Sequence, residues 1–159
     1  MSLESRTLNT LLAKGICEYS PDLDMESSNR LLRPLSYEIV LWPGKTHFVL
    51  RDLSGPGPVL LPWKESTVDE AKIIFGKLAM KERVGQSPVQ EMLEERGWLE
   101  RDSQGALALT KRALVQFDEY LISLEGRYRR CGLCRFLVDS GSYHSYCESI
   151  LSRKSNNIH

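Results

Sequence analysis

The sequence predicts an α+β, mainly helical chain of two small tandem domains followed by a metal-binding module, and three observations carry that reading. Helical periodicity gives way to strand-like runs twice along the chain, each time with helices first and a hairpin second. Between the two copies lies Ser54-Gly55-Pro56-Gly57-Pro58, where glycine beside proline permits neither a regular helix nor a central strand. Near the C-terminus, Cys131, Cys134, His144 and Cys147 form the pattern C-x2-C-x9-H-x2-C. The expected divisions are a first domain over residues 1–53, a linker over 54–65, a second domain over 66–126 and the metal-binding module over 127–159.

Each element has a local reason. Leu3, Leu8, Leu11 and Leu12 recur at helical spacing before Gly15, which suits a left-handed cap. A second helix is expected over Asp24 to Leu32, with Leu31 and Leu32 facing inward and Pro34 ending it. Ser36 to Trp42 and Thr46 to Leu53 are rich in β-branched and aromatic residues and flank the turn former Pro43-Gly44-Lys45, which predicts a hairpin. After the linker, Thr67-x-x-Glu70 reads as a capping box opening a helix with Val68, Ala71, Ile74, Phe75 and Leu78 inside. Ser87-Pro88 opens another in the preferred cap-then-proline order, with Val89, Met92 and Leu93 inside and Gly97 closing it. Trp98 to Glu100 and Ala106 to Leu109 are short strands around the turn Asp102 to Gly105. Thr110 then caps one final helix carrying Ala113, Leu114, Phe117, Leu121 and Leu124 on one stripe. Helices followed by a β-hairpin, twice over, is the outline of tandem winged-helix domains. Both are pared down, because Pro21 to Leu23 and Met80 to Gln86 stand where a third helix would fit. A single irregular α+β domain with two hairpins is the alternative.

Composition narrows the function classes. Lys plus Arg number 21 and Asp plus Glu number 21, so the formal net charge is zero and the pI near 6.8 gives no global nucleic-acid footprint. No apolar run approaches the ~20 residues a membrane span requires. The N-terminal residues do not read as a signal peptide, so a soluble intracellular protein is expected, in a reducing compartment where clustered cysteines bind metal rather than pair as disulfides.

The cysteine-histidine pattern supplies four soft or imidazole donors in two closely spaced pairs, which is the donor set of one tetrahedral zinc. Two residues between partners let both side chains converge on one ion. The nine residues between the pairs suffice for a small hairpin that brings the second pair to the open side. Cys17, outside the pattern, reads as a small core hydrophobe. No Ser/His/Asp set, phosphate-binding glycine loop or paired acidic motif offers a catalytic site, and neither His47 nor His159 reads as catalytic.

Taken in order, several segments resemble the first non-SMC element subunits of the structural maintenance of chromosomes 5/6 complex, which carry two winged-helix domains and a RING-like zinc module. The resemblance covers most of the chain. It begins with Leu11-Leu12-Ala13-Lys14-Gly15-Ile16, Tyr37-Glu38-Ile39 and His47-Phe48-Val49-Leu50. It is strongest in Arg96-Gly97-Trp98-Leu99, Leu107 to Ala113, Phe117-Asp118-Glu119-Tyr120-Leu121 and Cys131-Gly132-Leu133-Cys134. It implies a scaffold subunit in DNA repair, recombination and chromosome maintenance in the nucleus, partnered by a melanoma-antigen-like winged-helix subunit and a kleisin subunit, with DNA contacted within the complex. It also implies ubiquitin-ligase activity. The family's module crosses two zinc sites, whereas this chain has ligand pairs for one, so the module is expected to be a degenerate RING-like remnant with one Zn2+ and weak or absent activity.

Leu133 matches the apolar first-loop residue that contacts a ubiquitin-conjugating enzyme. Arg127, Arg129, Arg130 and Arg135 are candidates for contact with a nucleic-acid backbone; the plainer reading is a charged helix end complementing the C-terminal dipole. Trp42 and Trp63 read as core or hairpin packing, with Trp63 also a candidate for an interface. Phe136, Leu137 and Val138 are expected to pack the module against the final helix. A ubiquitin ligase, or a DNA-binding winged-helix regulator with a zinc knuckle, are the competing functions.

Overall fold

The computed structural model describes residues 3–54 and 65–157. Helix α1 (Leu3–Lys14) buries Leu11 completely and ends at Gly15, whose φ of 76° is open to glycine and whose N–H returns to the Leu11 carbonyl at 2.7 Å. A side chain at Gly15 would also collide with the guanidinium of Arg112, so two constraints meet there. Strand β1 (Ile16–Glu18) follows directly. It has no alternation long enough to read in the sequence, and pairing with a later strand is what makes it one. Cys17, on β1, is half-buried and packs against the first core.

Helix α2 (Met25–Leu32) is capped by Asp24, whose carboxylate accepts from the Ser27 N–H at 3.2 Å. Its inner face is Ser28, Asn29 and Leu32, while Leu31 is 75 % exposed, against the expectation that both leucines face inward. Successive helical residues point about 100° apart, so neighbours cannot share one narrow stripe. After a single 3-10 turn through Pro34, β2 (Tyr37–Leu41) and β3 (His47–Asp52) form the expected hairpin, with Gly44 at φ 86° and Lys45 at φ 53° in the turn. The sheet order is β1-β3-β2, all antiparallel. Buried Asn29 reaches edge strand β2 like a further strand: its Oδ1 accepts from the Ile39 N–H at 2.6 Å and its Nδ2 donates to the Ile39 carbonyl at 3.0 Å. Leu11, Leu23, Leu32, Ile39 and Phe48 make the first core.

Most of the predicted linker, with Trp63, lies outside the described residues. Helix α3 (Glu65–Ala79) contains Thr67 within it, so Thr67 is no cap, but Val68, Ala71, Ile74, Phe75 and Leu78 are all buried as their spacing requires. Helix α4 (Pro88–Glu95) opens on Ser87, whose hydroxyl accepts from the Gln90 N–H, and closes at Gly97 with φ 80°. Strands β4 (Leu99–Arg101) and β5 (Leu107–Leu109) pair around a turn in which Asp102 accepts from the N–H groups of Gln104 and Ala106. Thr110 caps the next helix as expected, but the single helix breaks at Phe117 (φ −108°, ψ 24°) into α5 (Lys111–Gln116) and α6 (Asp118–Ser123). Phe117 is pinned edge-on between Phe75 and Trp98, with ring centroids 4.9 and 5.6 Å away, and the break turns Asp118 toward two arginines.

The two hairpin-bearing segments pack on each other. Val49 and Trp42 of the first share a buried cluster with Val115 of the second. Buried Gln116 accepts from the Asp52 N–H at 2.8 Å and donates to its carbonyl at 3.3 Å. Among the described residues no helix is long and apolar enough to cross a membrane.

Candidate metal centre

The chain enters the C-terminal module through Gly126. A Cβ there would lie 2.4 Å from the Ala79 carbonyl, and that carbonyl accepts from the Arg127 N–H, so only glycine permits the approach. Strands β6 (Tyr128–Arg130) and β7 (Leu137–Asp139) then pair antiparallel. The hairpin expected between the two ligand pairs in fact straddles the first pair, with Cys131 leaving β6 and Cys134 approaching β7. The basic run, read as a helix end, is instead β6. The turn is locked by Cys131 N–H to the Phe136 carbonyl at 2.8 Å and Arg135 N–H to the Cys131 carbonyl at 3.0 Å, with Arg135 at φ 69°. The second pair sits at the start of a further helix, α7 (Ser145–Asn157), which no local cap or apolar stripe marks: His144 immediately precedes it and Cys147 lies in its first turn.

Folding brings all four residues together. Their ligand atoms lie within 4.8 Å of one another; Cys131 and Cys147 are buried, Cys134 and His144 half-buried. The His144 Nδ1 is 3.3 Å from the Cys134 sulfur and 3.9 Å from the Cys147 sulfur, bracketing the roughly 3.5 Å separation that nitrogen and sulfur have in a tetrahedral zinc shell. The Nε2 of the same ring is 2.8 Å from the Leu137 carbonyl. A proton on Nε2 donates there and leaves Nδ1 with its lone pair facing the thiols, the tautomer a metal ligand needs.

Burial pushes every thiol of the cluster up. At Cys131 this is outweighed by backbone N–H groups of Cys134, His144 and Leu133, which bring it down to about 6. Cys134 is pushed up to about 12, by burial first and by the neighbouring Cys131 and Cys147 sulfurs next; Cys147 is also raised, with burial again the leading cause. A cation among the three sulfurs would favour their thiolate forms. The cluster can hold one metal ion, and four protein donors leave no open position for a substrate.

The remaining candidates separate. Arg127 is paired with Asp139 and Arg130 with Asp118, whereas Arg129 and Arg135 are exposed; Arg129, Arg130 and Arg135 line one shallow cleft of about 510 Å³. Leu133 stands 37 % exposed at the tip of the first pair's turn. The three residues expected to hold the module on the final helix divide their contacts. Phe136 meets Trp42, Leu137 joins the core of the second segment and Val138 packs on the ligand cysteines. The Nδ1 of His47 faces the Lys111 ammonium at 3.1 Å.

Neither a protein-family model nor a curated protein sequence matches the chain. A solved structure does. A chain of an "Nse1-Nse3-Nse4 complex" superposes with a TM-score of 0.63 at 16 % identity, covering 94 % of this chain and 90 % of that one. This chain shares its fold. The likeness spans the module and both preceding segments, and it agrees with the resemblance read from the residues, which points to the same complex.

Proposed function

We propose that this chain is a zinc-binding scaffold subunit of a chromosome-maintenance complex, standing where the first non-SMC element subunit stands beside the winged-helix and kleisin subunits. The fold likeness along nearly the whole chain carries this reading. In it, residues 1–53 and 66–126 are compact winged-helix domains joined by 54–65, and 127–159 is a RING-like remnant holding Zn2+ on Cys131, Cys134, His144 and Cys147. The metal's role is structural: it would neutralise the thiolates and tie the β6–β7 turn to α7. The module's own residues supply the rest, with Leu137 orienting His144 and the Cys131 N–H closing the turn.

A partner surface fits the first two segments. A groove of about 740 Å³ opens between them, with Leu12, Ile16, Tyr37, Leu50 and Trp98 on its walls. Leu31 and Leu35 are also exposed, on α2 and the turn after it. Such apolar surface is what another subunit covers. Contact with DNA, acting in repair or recombination in the nucleus, would come through Arg129 and Arg135, the exposed cations of the basic run.

The test is capture from native extract followed by mass spectrometry, with elemental analysis of the purified chain. We expect the coiled-coil chromosome ATPases and their winged-helix and kleisin partners to be recovered, and one zinc per chain. Recovery of none of them, or a zinc count of zero or two, would overturn the reading. The ubiquitin-ligase alternative rests on exposed Leu133; ubiquitin transfer that disappears in Leu133→Ala would put it first.

A further inference from the structure

His144 touches a part of the chain far away in sequence. The Trp42 ring, at the end of β2, lies 5.4 Å from the imidazole at an interplanar angle of 75°, edge against face. On another side it meets Phe136, the residue that closes the first ligand pair's turn, at 5.4 Å. Trp42 is itself held firmly. It is 7 % exposed, packs with Val49 and Val115, donates its backbone N–H to the His47 carbonyl at 2.9 Å and has the Lys111 ammonium over its ring. Two residues on, Gly44 brings the hairpin turn against the ring of Tyr146 on α7.

We infer that Trp42 is a positioning residue of the metal centre, holding the His144 imidazole in its ligating orientation and coupling metal occupancy to the β2–β3 hairpin. The hydrogen bond from Nε2 to Leu137 secures one end of the imidazole but lets the ring swing about that anchor. The indole fills the space such a swing would enter and keeps water from that flank. Groups that orient a ligand in this way typically change metal affinity by about 10–100-fold. Coupling is reciprocal: if the hairpin steadies the centre, the occupied centre steadies the hairpin. The inference rests on the metal-binding reading above and adds a residue to it from the opposite end of the fold.

The test uses the full chain loaded with Zn2+, and separately with Co2+, in four forms: unsubstituted, Trp42→Leu, Trp42→Phe and Val115→Ala. Val115→Ala loosens the same apolar cluster without touching the imidazole. Zinc transfer to a chromophoric chelator should be about tenfold faster or more in Trp42→Leu, with its cobalt ligand-field bands altered as the imidazole lets go. Trp42→Phe, which keeps a ring, should restore both, and Val115→Ala should leave both near the unsubstituted values. In the unsubstituted chain, stripping the metal should speed hydrogen exchange at the Trp42 and Lys45 amides. That measurement decides the matter even if Trp42→Leu fails to fold. Unchanged release and spectrum in Trp42→Leu, equal effects in Val115→Ala, or unmoved exchange at the hairpin would overturn the inference alone. A chain that takes up no metal would overturn the underlying reading and the inference with it.

Discussion

At the start of β3, His47 presents its Nδ1 to the Lys111 ammonium at 3.1 Å, so the ammonium donates to a neutral ring. Burial first and the nearby Lys111 charge second hold the imidazole below its ordinary value of 6.5. The unfolded chain therefore binds the proton more readily than the folded one. Stability from this site is present above pH 6.5 and lost as pH falls below it toward the depressed folded value. Urea midpoints between pH 7.5 and 5.5 should decline in the unsubstituted chain and be flatter in His47→Gln; parallel curves would remove His47 from the account. Arg112 shows the same physics without a switch. Its guanidinium stacks 3.9 Å from the Trp98 ring centre and donates to the Arg96 carbonyl at 2.7 Å. Burial, with Arg96 adding to it, lowers it to about 10, still charged at neutral pH. At this scale the sequence is legible where a residue acts on its near neighbours, as Ser87, Thr110 and Asp102 do. It is mute where the partner is distant, as Lys111 is for His47 and Arg112 for Gly15.

Among the elements, the break between α5 and α6 matters most. It places Asp118, 12 % exposed at its side chain, within 3.6 Å of Arg51 on β3 and 3.3 Å of Arg130 on β6. One carboxylate thus joins the first hairpin, the second segment and the C-terminal module. Asp118→Asn keeps the shape and removes the charge, leaving two half-buried guanidinium groups without their counterion. It should lower stability by about 1–3 kcal/mol in urea denaturation. A double-mutant cycle with Arg51→Ala should show coupling; additivity would mean that the contact does not bind the segments. An uninterrupted helix was the reasonable expectation, since the apolar stripe runs through Phe117 unbroken. What overrides it is the fixed position of that ring between Phe75 and Trp98.

For the whole molecule, the C-terminal module is embedded rather than appended. Leu137, 2 % exposed, belongs to the second segment's core, and Phe136 to the cluster shared by both segments. Truncation after Gly126 should therefore lower the melting temperature of what remains by roughly 5–10 °C, because it removes buried apolar side chains from two cores. Scanning calorimetry checks this, and an unchanged melting temperature would show the module to be independent.

The amino-acid sequence alone determined whatever depends on near neighbours. This includes the buried face of α3, the caps at Ser87 and Thr110, the Pro43-Gly44-Lys45 turn, and the identity and spacing of the four candidate metal ligands. Caps, turns and helical faces are settled within a few residues, so their signals are written locally. Tertiary structure decided which of two adjacent leucines on α2 faces in, that Ile16–Glu18 becomes a strand, that the hairpin encloses the first cysteine pair, and that a helix follows His144. It also brought Trp42 to His144, about a hundred residues apart in sequence. No local pattern marks these pairings, because each depends on the surface another segment presents, and that surface exists only once the chain has folded.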